Sequence, residues 1–206
     1  MSQRHDEIRR RALDDLRRFE VVMDGHFDYG NGFHGRVYVN PHQLFRWPST
    51  IWRVAQDLLD VIPAPVIEQT ELVAGPVTGG ALLAHTLAGL LDGRRALAHP
   101  PFSYAPFGVG PDGGPALSAY YARLVKGRRV LLADDVRNTG RTFARCAALV
   151  ERAGGTVVAT VAIVDRLAAD VTLPVPNVAL VEYQGPPNYP AASCPLCAGG
   201  MPITEF

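Results

Sequence analysis

Short, almost wholly apolar runs alternate with helical segments along most of this chain, and that alternation restricts the fold more than any other feature. Leu72–Gly75, Val130–Ala133, Val157–Val164 and Asn177–Glu182 read as strands, most of them apolar enough to be buried on both faces. Between them, Ala81–Leu91, closed by Gly93, and Thr142–Ala153, ending at Gly154-Gly155, read as helices. Ala96–Ala98 reads as one more brief strand. Strands joined through helices imply βαβ crossovers, so the expected fold class is α/β with a parallel sheet.

The N-terminal part has a different texture. Ile8, Ala12, Leu16 and Phe19 recur at helical spacing and predict an amphipathic helix near residues 6–22, with Arg9–Arg11 on a solvated face among compensating acids. Residues 25–47 are irregular and glycine-rich, which predicts a small element of turns and short strands outside the core. Ile51, Val54, Ala55, Leu58, Leu59 and Ile62 form the clearest helical stripe, with Pro48 and Ser49 placed to start the helix. Residues 99–118 are rich in proline and glycine, carry one His but no Lys or Arg, and read as a long loop or mobile lid.

Twenty basic residues balance 20 acidic ones, which argues against nucleic acid or an anionic membrane as partner. No apolar run approaches the roughly 20 residues of a membrane span, and the first residues are charged, so a cytoplasmic protein is expected. Three cysteines, an odd number, fit a reducing compartment.

The chemistry concentrates in residues 130–142. There an apolar strand runs into Asp134 and Asp135, then a polar loop of Asn138, Thr139 and Gly140, then a helix opening at Arg141 and Thr142. Open α/β sheets bind ligands at the carboxyl ends of their strands. Residues 138–142 offer successive backbone amides and two threonine hydroxyls at a positive helix terminus, which suits a phosphate. The acids would repel that phosphate if they faced it. They suit a vicinal diol instead, with or without a divalent cation. A sugar with a phosphorylated end satisfies both halves. A P-loop and a dinucleotide glycine motif are both missing from the sequence, and adjacent carboxylates leaving one strand are poorly spaced for a glycosidase pair. Gly75–Gly80 forms a second glycine-rich turn from strand to helix, expected on the same edge and open to an anion.

Asp134–Thr142 resembles the signature of the type I phosphoribosyltransferases, which bind 5-phosphoribosyl 1-diphosphate (PRPP). Within that family the chain is similar to the orotate phosphoribosyltransferases. Gly25-His26-Phe27, Gly32 and Tyr38-Val39-Asn40 resemble their N-terminal hood, and Val73–Ala84 resembles their diphosphate loop and the helix after it. Val164–Arg166 and the tail Cys194–Cys197 also have counterparts there.

The resemblance implies a Rossmann-like type I phosphoribosyltransferase core spanning the whole chain. It also implies a hood made mainly from about 22–47, with room for residues 183–206, and a mobile loop at about 99–118. It assigns Asp134 and Asp135 to the ribose hydroxyls as catalytic residues, and Asn138, Thr139, Gly140, Arg141 and Thr142 to the 5′-phosphate. Pro76, Val77, Thr78, Gly79 and Gly80 fall to the diphosphate, and Tyr38, Val39 and Arg166 to the base. The implied cofactor is Mg2+, carried by PRPP near Asp134 and Asp135 rather than on a dedicated set of side chains. The implied reaction joins an orotate-like pyrimidine to PRPP in a homodimer. A transferase for another base, or a PRPP-binding regulator without catalysis, stands beside it. The chain departs from the family in its 99–118 stretch, which lacks Lys and Arg: either closure falls to Tyr104, backbone amides and arginines from elsewhere such as Arg123, or the activity is altered.

Cys194 and Cys197 form a C-x-x-C pair that reads first as reduced structural thiols, with metal shared with other residues and redox chemistry as alternatives. Cys146 lies within the helix that follows the phosphate loop. His26, His34, His42, His85 and His99 show no metal-binding spacing and read as structural or solvent-facing.

Overall fold

Nine strands and eight α-helices order the residues described by the computed structural model, which are 2–30, 32–94 and 101–205. Helix α1 (Ser2–Arg18) leads into a hairpin of β1 (Val22–Asp28) and β2 (Phe33–Val39), followed by α2 (His42–Phe45), α3 (Pro48–Val61) and α4 (Ala64–Gln69). The core then alternates: β3 (Leu72–Pro76), α5 (Gly79–Arg94), β4 (Ser103–Val109), β5 (Pro115–Ala116), α6 (Ala119–Val125), β6 (Arg129–Arg137), α7 (Arg141–Arg152), β7 (Thr156–Asp165) and β8 (Asn177–Glu182). The tail adds β9 (Tyr189–Pro190), one 3-10 turn and α8 (Pro195–Ala198).

The large sheet has the order β5-β4-β3-β6-β7-β8, parallel except for the antiparallel β4–β5 pair. Its strands are apolar throughout because both faces are covered. Leu131 and Ala133 point into a cluster with α1, α3 and α5, while Val130 and Leu132 point into one with α6 and α7. Leu131 is fully buried, so Leu131→Ala is expected to cost about 2–5 kcal/mol, read as a lower urea midpoint with an unchanged slope. A second, antiparallel sheet of order β1-β2-β9 joins the hairpin to the tail.

Several expectations shift. The first helix begins at Ser2 and stops at Arg18, because the chain turns through Glu20, at φ 53°, to bury Val21 and start β1. Ser49 is not a cap: α3 starts one residue earlier on Pro48, whose fixed φ suits the first helical position, with Trp47 before it. Residues 99–118 are not one long loop. Ser103–Val109 forms β4, with Ala105 and Phe107 fully buried, and Pro115–Ala116 forms β5. Pro106 is tolerated because it lies opposite Gly75 on a strand whose other neighbour pairs only at Gly108 and Val109. The strand expected at Ala96–Ala98 lies outside the described residues. Among the described residues no helix is long and apolar enough to cross a membrane.

Candidate active site

β3 and β6 are neighbours in the sheet, so the turn after the one and the acids at the end of the other share an edge. Contact between them is close enough to demand glycine. A Cβ on Gly75 would lie 2.2 Å from the Gly80 carbonyl oxygen, one on Gly79 2.0 Å from Asp135 Oδ2, and one on Gly80 2.7 Å from Asp134 Oδ1. Space, not backbone conformation, fixes these three residues, since none has positive φ. The peptide between Val77 and Thr78 is cis.

Asp134 is 8 % exposed, and its Oδ1 accepts a hydrogen bond from the Asp135 amide at 3.0 Å. Burial first, and the Asp135 charge second, hold its carboxyl well above the usual carboxylate range. Asp135 is half-buried; its Oδ1 accepts from the Val136 amide at 2.8 Å, and its Oδ2 lies 3.8 Å from His42 Nε2. The loop that follows is pinned from outside. The Thr139 carbonyl accepts from the amides of Asp170 and Val171 at 3.0 and 3.1 Å, and Gly140 takes φ 81° with the Val171 carbonyl oxygen 2.1 Å from where a Cβ would sit. Gly140 caps α7 without any side chain, leaving the first-turn amides of the helix for an incoming anion.

Two cavities adjoin this edge. The larger, about 400 Å³, is lined by Pro76, Val77, Thr78 and Gly79 on one side and by Asp134, Asp135, Arg141 and Thr142 on the other. The smaller, about 180 Å³, is lined by Tyr38, Val39, Asn138 and Arg166, with Tyr29, Val136 and Asn188. The expected phosphate loop is therefore divided: Arg141 and Thr142 face the larger cavity, Asn138 the smaller, and Thr139 and Gly140 line neither. Gly80 is buried beneath its turn.

The lining residues absent from the expected site include His42, Arg145, Tyr29, Val136 and Asn188. Arg145 was readable, being four residues after Arg141 and so on the same face of α7. It also pairs with Asp112 in the β4–β5 turn, bringing that turn over the larger cavity. The cations at this cavity thus come from α7. Tyr104 instead packs edge-on against His85 with centroids 5.2 Å apart, and neither it nor Arg123 lines the site. Cys146 is buried on α7, where desolvation and then the Asp134 charge push its thiol up, so it is no nucleophile.

In the smaller cavity the Arg166 guanidinium lies 5.9 Å from the Tyr183 ring, and its Nε is buried without a hydrogen-bond partner. Tyr29 donates to the Val37 carbonyl at 2.6 Å and stacks near Tyr38, with centroids 6.4 Å apart. Burial raises the Tyr29 phenol, so it stays a neutral donor.

The family model of the phosphoribosyl transferase domain matches residues 66–172, which include both turns and the acid pair. An orotate phosphoribosyltransferase of Erythrobacter litoralis is 31 % identical over 194 residues, 94 % of each chain. The solved orotate phosphoribosyltransferase of Aeropyrum pernix superposes with a TM-score of 0.63 at 23 % identity, covering 82 % of this chain and 92 % of that one. The adenine phosphoribosyltransferase of Thermoanaerobacter pseudethanolicus superposes with 0.61 at 16 % identity, covering 83 % and 99 %. Fold similarity at this level spans enzymes for different bases, whereas the relative at 31 % identity is an orotate phosphoribosyltransferase. The chain therefore belongs to the phosphoribosyltransferase family, and it groups there with the orotate phosphoribosyltransferases.

Proposed function

We propose that this enzyme transfers the phosphoribosyl group of PRPP to orotate, forming orotidine 5′-phosphate and releasing diphosphate, in the cytoplasm and as a homodimer. The observation that carries the choice of base is Arg166. A guanidinium whose buried Nε lacks a partner, in a cavity also lined by Val136, the residue after Asp135, calls for an anionic acceptor, and the orotate carboxylate is one. Tyr29 and Tyr38 give the flat ring an aromatic wall.

The sugar spans both cavities. Asp134 and Asp135 accept hydrogen bonds from its 2′ and 3′ hydroxyls, the first turn of α7 with Thr139 and Thr142 takes the 5′-phosphate, and residues 76–80 take the diphosphate. A magnesium ion carried by PRPP would lie near Asp134 and Asp135, whose hard oxygens suit such a cation. When bound, that ion supplies positive charge to the departing diphosphate. Arg141 and Arg145 stand at the same cavity, where the 99–118 stretch contributes no Lys or Arg of its own. The protein's own contribution is to hold the base nitrogen in line with the anomeric carbon and to exclude water.

Arg166→Gln is expected to lower kcat/KM for orotate by roughly 10- to 100-fold, the worth of one charge-assisted contact, while PRPP binding changes little. The direct test supplies PRPP, Mg2+ and a panel of bases and measures diphosphate. Release with orotate alone supports the reading. Release with another base reassigns the acceptor, and PRPP binding without release from any base points to a regulator.

A further inference from the structure

Outside this site, one side-chain cluster brings four atoms able to ligate a metal ion together. His26 on β1, His34 on β2, and Cys194 and Cys197 around α8 place four donor atoms within 4.8 Å of one another. His26 Nε2 lies 3.0 Å from His34 Nδ1, Cys194 Sγ lies 3.6 Å from His26 Nε2, and Cys197 Sγ lies 3.7 Å from His26 Nε2 and 3.3 Å from His34 Nδ1. His26, His34 and Cys194 are buried, and Cys197 forms the exposed rim.

The outer nitrogen of the His26 ring sets its tautomer. His26 Nδ1 lies 2.8 Å from the Met201 carbonyl oxygen, which can only accept, so Nδ1 carries the proton and Nε2 presents a lone pair. His34 Nε2 lies 3.9 Å from Asp28 Oδ1, beyond hydrogen-bonding distance, so its Nδ1 is free to present a lone pair to a metal. His26 Nε2 and His34 Nδ1 thus lie 3.0 Å apart in a buried site with two sulfurs beside them, a convergence of four donor atoms that one cation can bridge. Zinc bonds of about 2.3 Å to sulfur and about 2.0–2.1 Å to nitrogen give tetrahedral edges of roughly 3.3 Å for N–N and roughly 3.6 Å for S–N. The observed separations lie within a few tenths of an ångström of both.

We propose that His26, His34, Cys194 and Cys197 bind one structural zinc ion that fastens the C-terminal tail to the β1–β2 hairpin. Two sulfurs and two imidazoles are a donor set suited to tetrahedral zinc and not to the hard magnesium ion of the transfer reaction. All four positions are filled by protein, as in a structural rather than a catalytic site. On binding, the two thiols release their protons and two metal–sulfur and two metal–nitrogen bonds form, with no change of oxidation state. The tail needs such a fastening. Its other ties to the hairpin include the two-residue β9, the Ala191 amide donating to the Gly32 carbonyl at 2.9 Å, the His26 Nδ1 contact with the Met201 carbonyl, and a pair of bonds in which the Thr204 amide donates to the His26 carbonyl at 2.6 Å and the His26 amide donates to the Thr204 hydroxyl at 3.1 Å. The ligands come from segments 168 residues apart, so one ion closes a long loop in the folded state.

The full-length chain, expressed with zinc and purified under a non-thiol reductant without chelator, is expected to carry one zinc per chain by elemental analysis. Exchange of zinc for cobalt is expected to give the intense visible bands of a tetrahedral ion and a near-ultraviolet thiolate charge-transfer band. Cys197→Ser, at the exposed rim, should leave the circular dichroism spectrum intact, lose about half of that charge-transfer intensity, and weaken zinc at least tenfold in competition with a chromophoric chelator. His34→Ala should weaken zinc similarly. Chelation should lower the melting temperature of the wild-type chain and not that of Cys194→Ala with Cys197→Ala. Reduced, folded wild-type protein that binds less than a tenth of an equivalent, a six-coordinate cobalt spectrum, or unchanged affinity in Cys197→Ser would each overturn the assignment. None of these readouts depends on which base the enzyme uses.

Discussion

Asp134→Asn combined with Asp135→Asn is expected to lower kcat/KM for PRPP by roughly 100- to 10,000-fold, because each carboxylate contributes a charge-assisted hydrogen bond of about 1.5–3 kcal/mol. The same change should not weaken the free protein. Asp134 is buried, and its folded-state pKa lies above its unfolded value, so between those two values the native state binds the extra proton and stability falls as pH rises. Asp134→Asn removes that dependence. The single variant should therefore melt higher than wild type above the ordinary carboxylate range and converge with it in acid, where both are neutral. A variant that is both inactive and less stable at neutral pH would mean that Asp134 serves the fold and not the sugar. Binding of PRPP, which draws on the ionised acid, should release protons, measurable as a buffer-dependent heat.

The second large effect belongs to stability. Arg137 and Asp165 end neighbouring strands in register, and their side chains pair at 2.7 Å, with Arg137 only 6 % exposed. Arg137 also donates to Thr160, whose hydroxyl donates to Asn177 Oδ1 at 2.6 Å, and it lies over the Phe143 ring. Arg137→Ala leaves Asp165 buried without its cation and is expected to cost about 3–5 kcal/mol. Arg137→Met with Asp165→Leu removes both charges and should recover most of that loss in a double-mutant cycle. Equal losses in the single and double variants would place the energy in packing and not in the pair. The network adjoins the base cavity, since the Arg166 amide donates to the Arg137 carbonyl at 2.8 Å and the Leu167 amide to Asp165 at 2.8 Å. The single variant should thus also raise KM for the base.

The parts of this molecule that could be read from sequence are those whose cause is local. The run 130–142 holds strand, acids, loop and helix within thirteen consecutive residues, and the structure keeps strand, loop and helix in that order, although β6 runs on through the acids to Arg137. β8 likewise has the expected ends, Asn177 and Glu182. β4 was hidden by Pro106, because what permits a proline there is the position of the strand near the sheet edge, which no window of sequence contains. Comparison with the family's mobile loop makes Tyr104 one candidate for closing the site, yet its strand aims it at His85. His26 and His34 looked unremarkable because their partners stand at 194 and 197, and only the pairing of β2 with β9 and the path of the tail bring them together. A local rule about histidine spacing has no access to such a closure.

The account rests on a sugar held by its hydroxyls at the end of β6 and by its phosphate at the start of α7. Crystals soaked with ribose-5-phosphate test this most directly. The account predicts the 2′ and 3′ hydroxyls within hydrogen-bonding distance of Asp134 and Asp135 and the phosphate on the amides of residues 139–142. Density for the ligand at any other place, or its phosphate seated on Gly79 and Gly80 with both acids turned away, would contradict it.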